Sequence, residues 1–120
     1  MTLRRPILVA AAAAAALAVA AAAPAATPKV NGTVGPGFTI GIAQGGKKVT
    51  TLKAGKVTFV VADKSSIHNF HLFGPGLNKK TSVSFVGDKT WTIKLKPGKY
   101  TYQCDIHLSE GMKGSFKVTK

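Results

Sequence analysis

Short segments in which apolar and polar residues alternate make up most of the sequence after residue 30, and glycine-containing turns separate them. A period of two is typical of half-buried antiparallel strands, because successive side chains of a strand point to opposite faces. No stretch of useful length has the period of an amphipathic helix. We therefore predict an all-β fold, a Greek-key β-sandwich of about seven or eight short strands. The predicted inward residues are Phe38, Ile40, Ile42, Val57, Phe59, Val61, Trp91, Ile93, Leu95, Phe116 and Val118.

Glycine and proline mark the predicted turns, in GPG (residues 35–37 and 74–76), QGGKK, KAGK and KPGK. In KPGK, Pro97 followed by Gly98 suits a type II turn, which favours proline and then glycine at its two central positions. We expect this turn to close a hairpin between Leu95 and Tyr100.

The first 25 residues have the anatomy of a secretory signal peptide. Arg4 and Arg5 precede an alanine-rich apolar run over residues 7–23, and the A-x-A pattern over residues 23–25 offers a cleavage site. We predict a signal peptide over residues 1–25, a single domain over residues 26–120, and export to the periplasm, the cell surface or the extracellular space. The alternative is a signal that is retained as an N-terminal membrane anchor.

The chain is strongly basic, with a net charge of +13 from 17 lysines and arginines against four acidic residues. Removing residues 1–25 takes away both arginines and lowers the net charge to +11, so all the remaining cations are lysines. Nucleic-acid sites usually combine arginines with stacking aromatics, so we predict no nucleic-acid partner.

A cationic surface instead steers a protein towards anionic partners. We predict a monomer that meets anionic redox proteins, such as cytochromes or oxidoreductases, or an anionic membrane surface. The alternative is that the lysines keep a small strand-rich protein soluble and its sheet edges unpaired.

The least common side chains crowd into YTYQCDIHLSEGMKG, which holds the single cysteine, Cys104, in the pattern C-x2-H-x4-M with His107 and Met112. One cysteine cannot form an internal disulfide, and a free thiol in an exported protein is a liability unless it is buried or bound. Alternation places Tyr100, Tyr102 and Cys104 on the inward face of a strand. A thiolate, an imidazole and a thioether brought together by a short loop form a soft ligand set that favours copper over magnesium, calcium or manganese.

A copper site of this kind needs a second histidine, and the segment SSIHNFHLFGPG offers two. On an extended strand His68 shares a face with Phe70 and Leu72, which are expected to face the core. We therefore predict His68 as the ligand and His71 as a residue of the surface or of the outer shell of the site. The alternative roles for His71 are a ligand or a proton-linked group.

The histidine–asparagine pair at residues 68–69, followed by Tyr-x-Cys-x2-His-x4-Met-x-Gly before the last strand, resembles the cupredoxins. The similarity spans about residues 35–118 and is greatest to the small blue copper proteins of the plastocyanin and pseudoazurin type. It implies one type 1 copper that alternates between Cu(I) and Cu(II). His68, Cys104 and His107 would be the equatorial ligands, and Met112 the weak axial one.

The resemblance also implies that Asn69 ties the two ligand loops together by hydrogen bonds. By the same analogy, His107 lies near the surface within an apolar ring that includes Leu108, and serves as the electron port. Phe70, Phe38, Leu72 and Leu108 are expected to form the apolar shell that tunes the reduction potential. The acidic patch of plant plastocyanins is absent, which disfavours a photosynthetic partner.

Two other classes of function compete with a one-electron carrier. In a thiol enzyme, Cys104 would be the nucleophile and His107 the base, but no third residue is evident to orient the imidazole and Met112 would have no role. A copper-binding or delivery protein would favour exposed ligands that exchange metal quickly. Three histidines are too few for the additional copper centres of a multicopper oxidase. We therefore predict an electron carrier with no catalytic residues.

Overall fold

The computed structural model describes residues 2, 10–16 and 26–120, so the predicted signal peptide lies largely outside the described residues and stays a prediction. Residues 26–120 form ten strands, with one short 3-10 helix at Leu108–Glu110 as the only helix in this range. No helix in the described part of the chain has the length and apolarity needed to cross a membrane. The strands are β1 (Lys29–Val34), β2 (Ile40–Gln44), β3 (Lys47–Lys48), β4 (Thr51–Lys53), β5 (Gly55–Asp63), β6 (His71–Gly74), β7 (Leu77–Lys80), β8 (Gly87–Leu95), β9 (Gly98–Gln103) and β10 (Lys113–Thr119).

Two five-stranded sheets make up the sandwich, which confirms the predicted all-β class. The strand order is β3-β2-β1-β5-β8 in the first sheet and β4-β10-β9-β6-β7 in the second. The strand count is higher than predicted because β3 and β4 are too short to show a full period of alternation. The expectation of purely antiparallel strands is wrong at two pairings, β1 with β5 and β4 with β10, which are parallel. Long connections between these partners make parallel pairing possible.

The core follows the predicted alternation in most segments. Phe59 and Val61 of β5 are fully buried, and Val118 of β10 is only 1% exposed. Trp91 is half-buried and packs against the edge of the core. Phe38 is the exception, because it lies in a bend before β2 and its exposed fraction is 55%. The prediction that Phe38 faces the core is therefore wrong: the bend ends the alternation before the strand begins.

The predicted hairpin at KPGK is also wrong, because β8 and β9 belong to different sheets and KPGK carries the chain from one to the other. The Tyr100 hydroxyl accepts a hydrogen bond from the Lys96 amide (2.9 Å) and donates one to the Pro75 carbonyl (3.0 Å). These two bonds fasten the crossing to the loop between β6 and β7.

Candidate metal centre

The loop between β9 and β10 closes on itself through backbone hydrogen bonds. The Cys104 amide donates to the Met112 carbonyl (3.0 Å), and the Met112 amide donates to the His107 carbonyl (3.3 Å). The His107 amide in turn donates to the Cys104 carbonyl (3.3 Å). Gly111 ends the 3-10 helix with a positive φ of 81°, a conformation that glycine adopts readily. The C-x2-H-x4-M spacing thus folds into a compact loop that gathers its three soft residues.

Three donor atoms converge at this end of the sandwich. The Nδ1 atoms of His68 and His107 lie 2.9 Å apart, and the Cys104 Sγ lies 3.5 Å from His107 Nδ1 and 3.8 Å from His68 Nδ1. Nitrogen and sulfur donors lie about 2.0 to 2.3 Å from a bound metal, so three donors around one ion are roughly 3.5 to 4.0 Å apart. The two distances to sulfur match this spacing, and the distance between the nitrogens is shorter. The donor triangle therefore fits a single metal ion after a small separation of the two imidazoles.

His68 reaches the centre from the coil between β5 and β6 rather than from a strand. Its side chain is fully buried, as are those of Phe70 and Leu72, whereas the side chain of His71 is 18% exposed. The predicted inward and outward faces agree with this burial. His68 joins the converging atoms, and His71 is directed to a different set of partners.

Met112 is fully buried and lies next to Cys104 through the backbone hydrogen bond that closes the loop. Cys104 is also fully buried and is a free cysteine. All four residues predicted as metal ligands therefore lie on two adjoining loops. Their role as ligands is a prediction that the chemistry of the donor set supports, since two imidazoles, a thiolate and a thioether suit copper.

Asn69 ties the two loops together, as the family resemblance predicted. Its side-chain amide donates to Asp105 Oδ2 (2.9 Å), and its side-chain carbonyl accepts from the Asp105 amide (2.8 Å). The residue after His68 and the residue after Cys104 thus exchange two hydrogen bonds. This pair fixes the separation of the two loops that carry the donors.

Asp105 also binds two side chains that the sequence analysis did not connect to the site. Asp105 Oδ1 accepts from Gln103 Nε2 (2.8 Å) and lies 2.8 Å from His71 Nδ1. Burial alone would raise the pKa of the Asp105 carboxyl, but hydrogen bonds from Gln103, Asn69 and His71 lower that pKa to about 2. The sequence contained a hint of this role for Asp105, since one of only four acidic residues in the chain directly follows the single cysteine.

One aromatic side chain, Phe38, lies against both imidazoles. The Phe38 ring meets His107 edge-on, with ring centroids 4.9 Å apart, and His68 at 5.6 Å. Phe70 and Leu72 are fully buried in the core and Leu108 is 44% exposed, and their place in the apolar shell stays a prediction. The exposed Phe38 ring therefore packs against both imidazoles from the solvent side.

Two buried polar atoms near the centre, His68 Nε2 and Asp63 Oδ2, have no hydrogen-bond partner among the described residues. The Ser65 amide donates to the other carboxylate oxygen, Asp63 Oδ1 (3.1 Å). Burial raises the pKa of the Asp63 carboxyl, and the hydrogen bond from Ser65 and the nearby His68 offset only part of that rise. Asp63 is thus a buried carboxyl group that has a hydrogen-bond partner for only one of its two oxygens among the described residues.

Solved structures to which the chain is similar include rusticyanins and an auracyanin. A methionine-to-glutamine variant of rusticyanin has 27% sequence identity and a TM-score of 0.55, over 78% of each chain. Rusticyanin from Thiobacillus ferrooxidans has 28% identity and a TM-score of 0.51, over 78% of this chain and 77% of that one. Auracyanin from Roseiflexus castenholzii has 20% identity and a TM-score of 0.57, over 80% of this chain and all of the other, and supports the fold.

The chain matches no family model. Two observations nevertheless point to one class of protein. The sandwich aligns with rusticyanin, and the donor atoms of His68, Cys104 and His107 all lie within 4.8 Å of one another. The fold, the donor set and the similarity to rusticyanin together support the cupredoxin family and, within it, the group of small blue copper proteins.

Proposed function

We propose that this protein is a one-electron carrier that holds a single copper ion through His68, Cys104 and His107, with Met112 as a weak fourth ligand. The observation that carries the proposal is the convergence of two imidazole nitrogens and one thiol sulfur at a buried point. Rusticyanin is a copper protein, and reduced forms of both rusticyanin and auracyanin have been solved. Copper bound to such a set alternates between Cu(I) and Cu(II).

The surrounding residues would keep the donors in place during electron transfer. The loop from Cys104 to Met112 is closed by its own backbone hydrogen bonds, and the Asn69–Asp105 pair joins it to the loop of His68. Ligands held in one arrangement reorganise little when the charge of the metal changes, because neither loop is free to move alone. The apolar shell keeps water away from the sulfur and thereby influences the reduction potential.

The burial of Cys104 distinguishes this proposal from its two competitors. A thiol nucleophile must meet a substrate, yet the exposed fraction of Cys104 is zero and its sulfur lies against two imidazoles. A delivery protein must exchange its metal quickly, which a buried sulfur at the centre of a tied loop disfavours. We therefore propose a carrier rather than an enzyme or a copper-delivery protein.

His107 is the proposed point of electron entry and exit. It is the only one of the three donor residues that is partly exposed. Four exposed apolar side chains belong to the loops around it, namely Phe38, Ile67, Ile106 and Leu108. Such a rim allows a partner to approach the imidazole closely without desolvating charged groups.

Anionic redox proteins, such as an acidic cytochrome, are the proposed partners. The described strands of the second sheet contain six lysines and no acidic residue. Asp63, one of the four carboxylate residues of the chain, is buried and contributes no exposed charge. The lysines would attract the partner, and the apolar rim around His107 would make the close contact.

We further propose that the protein is exported and that residues 26–120 act as a monomer outside the cytoplasm. The support is the signal-like composition of residues 1–25, together with a single cysteine whose thiol a bound metal would protect outside the cytoplasm. N-terminal sequencing of the protein isolated from its host would test cleavage. A mature chain that begins at Ala26 is expected, and a chain that still begins near Met1 would contradict it.

Copper titration of the purified protein tests the proposed function. We expect one copper per chain, an intense visible band from thiolate-to-copper charge transfer, and reversible bleaching by a reductant. The same titration in the presence of a thiol-alkylating reagent should show that copper protects Cys104. A colourless protein whose thiol reacts readily after copper is added would overturn the proposal in favour of a thiol enzyme.

A further inference from the structure

Asp105 is the most heavily hydrogen-bonded side chain beside the metal centre. Its carboxylate accepts from Asn69 (2.9 Å) and Gln103 (2.8 Å) and lies 2.8 Å from the His71 Nδ1 atom. These three partners belong to three different places, the loop of His68, the end of β9 and the start of β6. The residue directly after Cys104 is thus held from several directions at once.

The His71 ring bridges Asp105 to the neighbouring strand. Its Nδ1 atom faces Asp105 Oδ1, and its Nε2 atom contacts Asn78 Oδ1 of β7. The Asp105 carboxylate oxygen can only accept, so the His71 Nδ1 atom carries the hydrogen of this bond. With both nitrogens engaged, His71 is not available as a metal ligand, although its sequence position left that role open.

We propose that His71 is a positioning residue that acts on the metal centre through Asp105. This inference rests on the proposed function as a copper electron carrier. His71 anchors the Asp105 side chain to β6 and β7, and Asp105 in turn holds the Cys104 loop against Asn69. The role of this bridge is to hold the two ligand loops at a fixed separation from each other.

The same bridge has an electrostatic consequence. A carboxylate on the residue next to Cys104 favours the more highly charged Cu(II) state over Cu(I). Hydrogen-bond donors to that carboxylate spread its charge and weaken this preference. Loss of the His71 donor leaves the carboxylate less neutralised, so the reduction potential of the copper protein should fall.

Three variants of the full chain test the proposal. His71→Phe keeps a ring of similar size but removes the donor to Asp105, and His71→Gln restores an N–H donor at this position. Lys80→Gln is the matched control, because Lys80 lies directly opposite His71 in the β6–β7 ladder and is exposed, but does not contact Asp105. This control removes a nearby positive charge without breaking the bridge.

Two readouts separate positioning from general stability. In the copper-loaded protein, His71→Phe should keep the visible band and lower the reduction potential, and His71→Gln should restore most of the loss. In the metal-free protein, the Asp105 amide donates to Asn69, so its hydrogen exchange should become about tenfold faster in His71→Phe, as expected when a hydrogen bond to a charged group is lost. Lys80→Gln should leave both quantities close to the wild-type values.

The outcomes distinguish the two proposals. A wild-type chain that binds no copper would remove the proposed function, while the exchange of the Asp105 amide would still report on the bridge. Unchanged exchange and potential in His71→Phe would overturn the positioning role. An equal fall in potential for Lys80→Gln would overturn it as well, because the effect would then be one of net charge.

Discussion

The Nδ1 atoms of His68 and His107 lie 2.9 Å apart, although 39 positions separate the two residues in the chain. Neither histidine lies on a strand, so their meeting depends on two loops at the same end of the sandwich. The Asn69–Asp105 pair holds these loops together by two hydrogen bonds of 2.8 and 2.9 Å. Contacts within the protein therefore hold the donor set together, and several variants should separate metal binding from folding.

Cys104→Ser should abolish the visible band while leaving the sandwich folded. A serine hydroxyl cannot supply the soft, charged donor that copper requires at this position. The hydroxyl can still form a hydrogen bond to either nearby imidazole, so the loss of folding stability should be about 1 kcal/mol. Absorption spectra and urea unfolding of the metal-free proteins measure the two effects. An intense blue band in Cys104→Ser would rule out the assigned ligand.

His68→Ala should destroy the visible spectrum, and His71→Ala should retain it. The reason is that His68 Nδ1 lies among the converging donors, whereas both nitrogens of His71 face oxygens outside the centre. Absorption and electron paramagnetic resonance spectra of the two copper-loaded variants compare them directly. The reverse result would show that His71 is the second imidazole ligand.

Met112→Leu should keep copper and colour but raise the reduction potential. Leucine fills a similar volume in this buried position and removes a weak donor to the oxidised ion. Voltammetry of the wild-type and variant proteins measures the shift. Complete loss of copper from Met112→Leu would mean that Met112 is a principal ligand and that the geometry is different.

Asp63→Asn should change how the stability of the metal-free protein depends on pH. Burial raises the folded-state pKa of Asp63, so the folded state holds this proton more tightly than the unfolded state. The resulting stabilisation is present below the unfolded value of 3.8 and is lost as pH rises through the raised folded-state pKa. The variant should therefore gain stability relative to the wild type as pH rises from about 3 to neutrality.

Urea unfolding at several pH values measures this difference. Asp88→Asn, which removes the exposed carboxylate paired with Ala62 in the β5–β8 ladder, controls for the loss of one negative charge. A stability difference between the wild type and Asp63→Asn that stays constant with pH would contradict the prediction.

Salt should slow the reaction with an acidic redox partner. A net charge of +11 on residues 26–120 attracts an anionic partner over about a Debye length, roughly 8 Å at physiological salt. Stopped-flow oxidation of the reduced protein by an acidic and a basic cytochrome, over a salt series, should show a steep fall only with the acidic one. The electron-transfer step within the complex should change little. A flat or rising rate with the acidic cytochrome would show that the lysines serve solubility alone.

The sequence was sufficient to predict the all-β class, the buried faces of several strands and the close spacing of three residues in the ligand loop. Alternation identified the buried residues of β5, β9 and β10, because the faces of a strand depend only on local geometry. The spacing of Cys104, His107 and Met112 was informative for the same reason, since a short loop limits how far apart its residues can lie. The choice of His68 over His71 followed from the phase of burial around Phe70.

Only the tertiary structure decided which segments meet. It placed β8 and β9 in different sheets, moved Phe38 from the core to the solvent side of the two imidazoles, and brought His71 to Asp105. Alternation reports the two faces of a strand but not its neighbour, and a polar side chain in a loop has no period from which its partner can be read. These contacts join residues far apart in the chain, so they follow from the packing of the two sheets and their loops rather than from any local pattern.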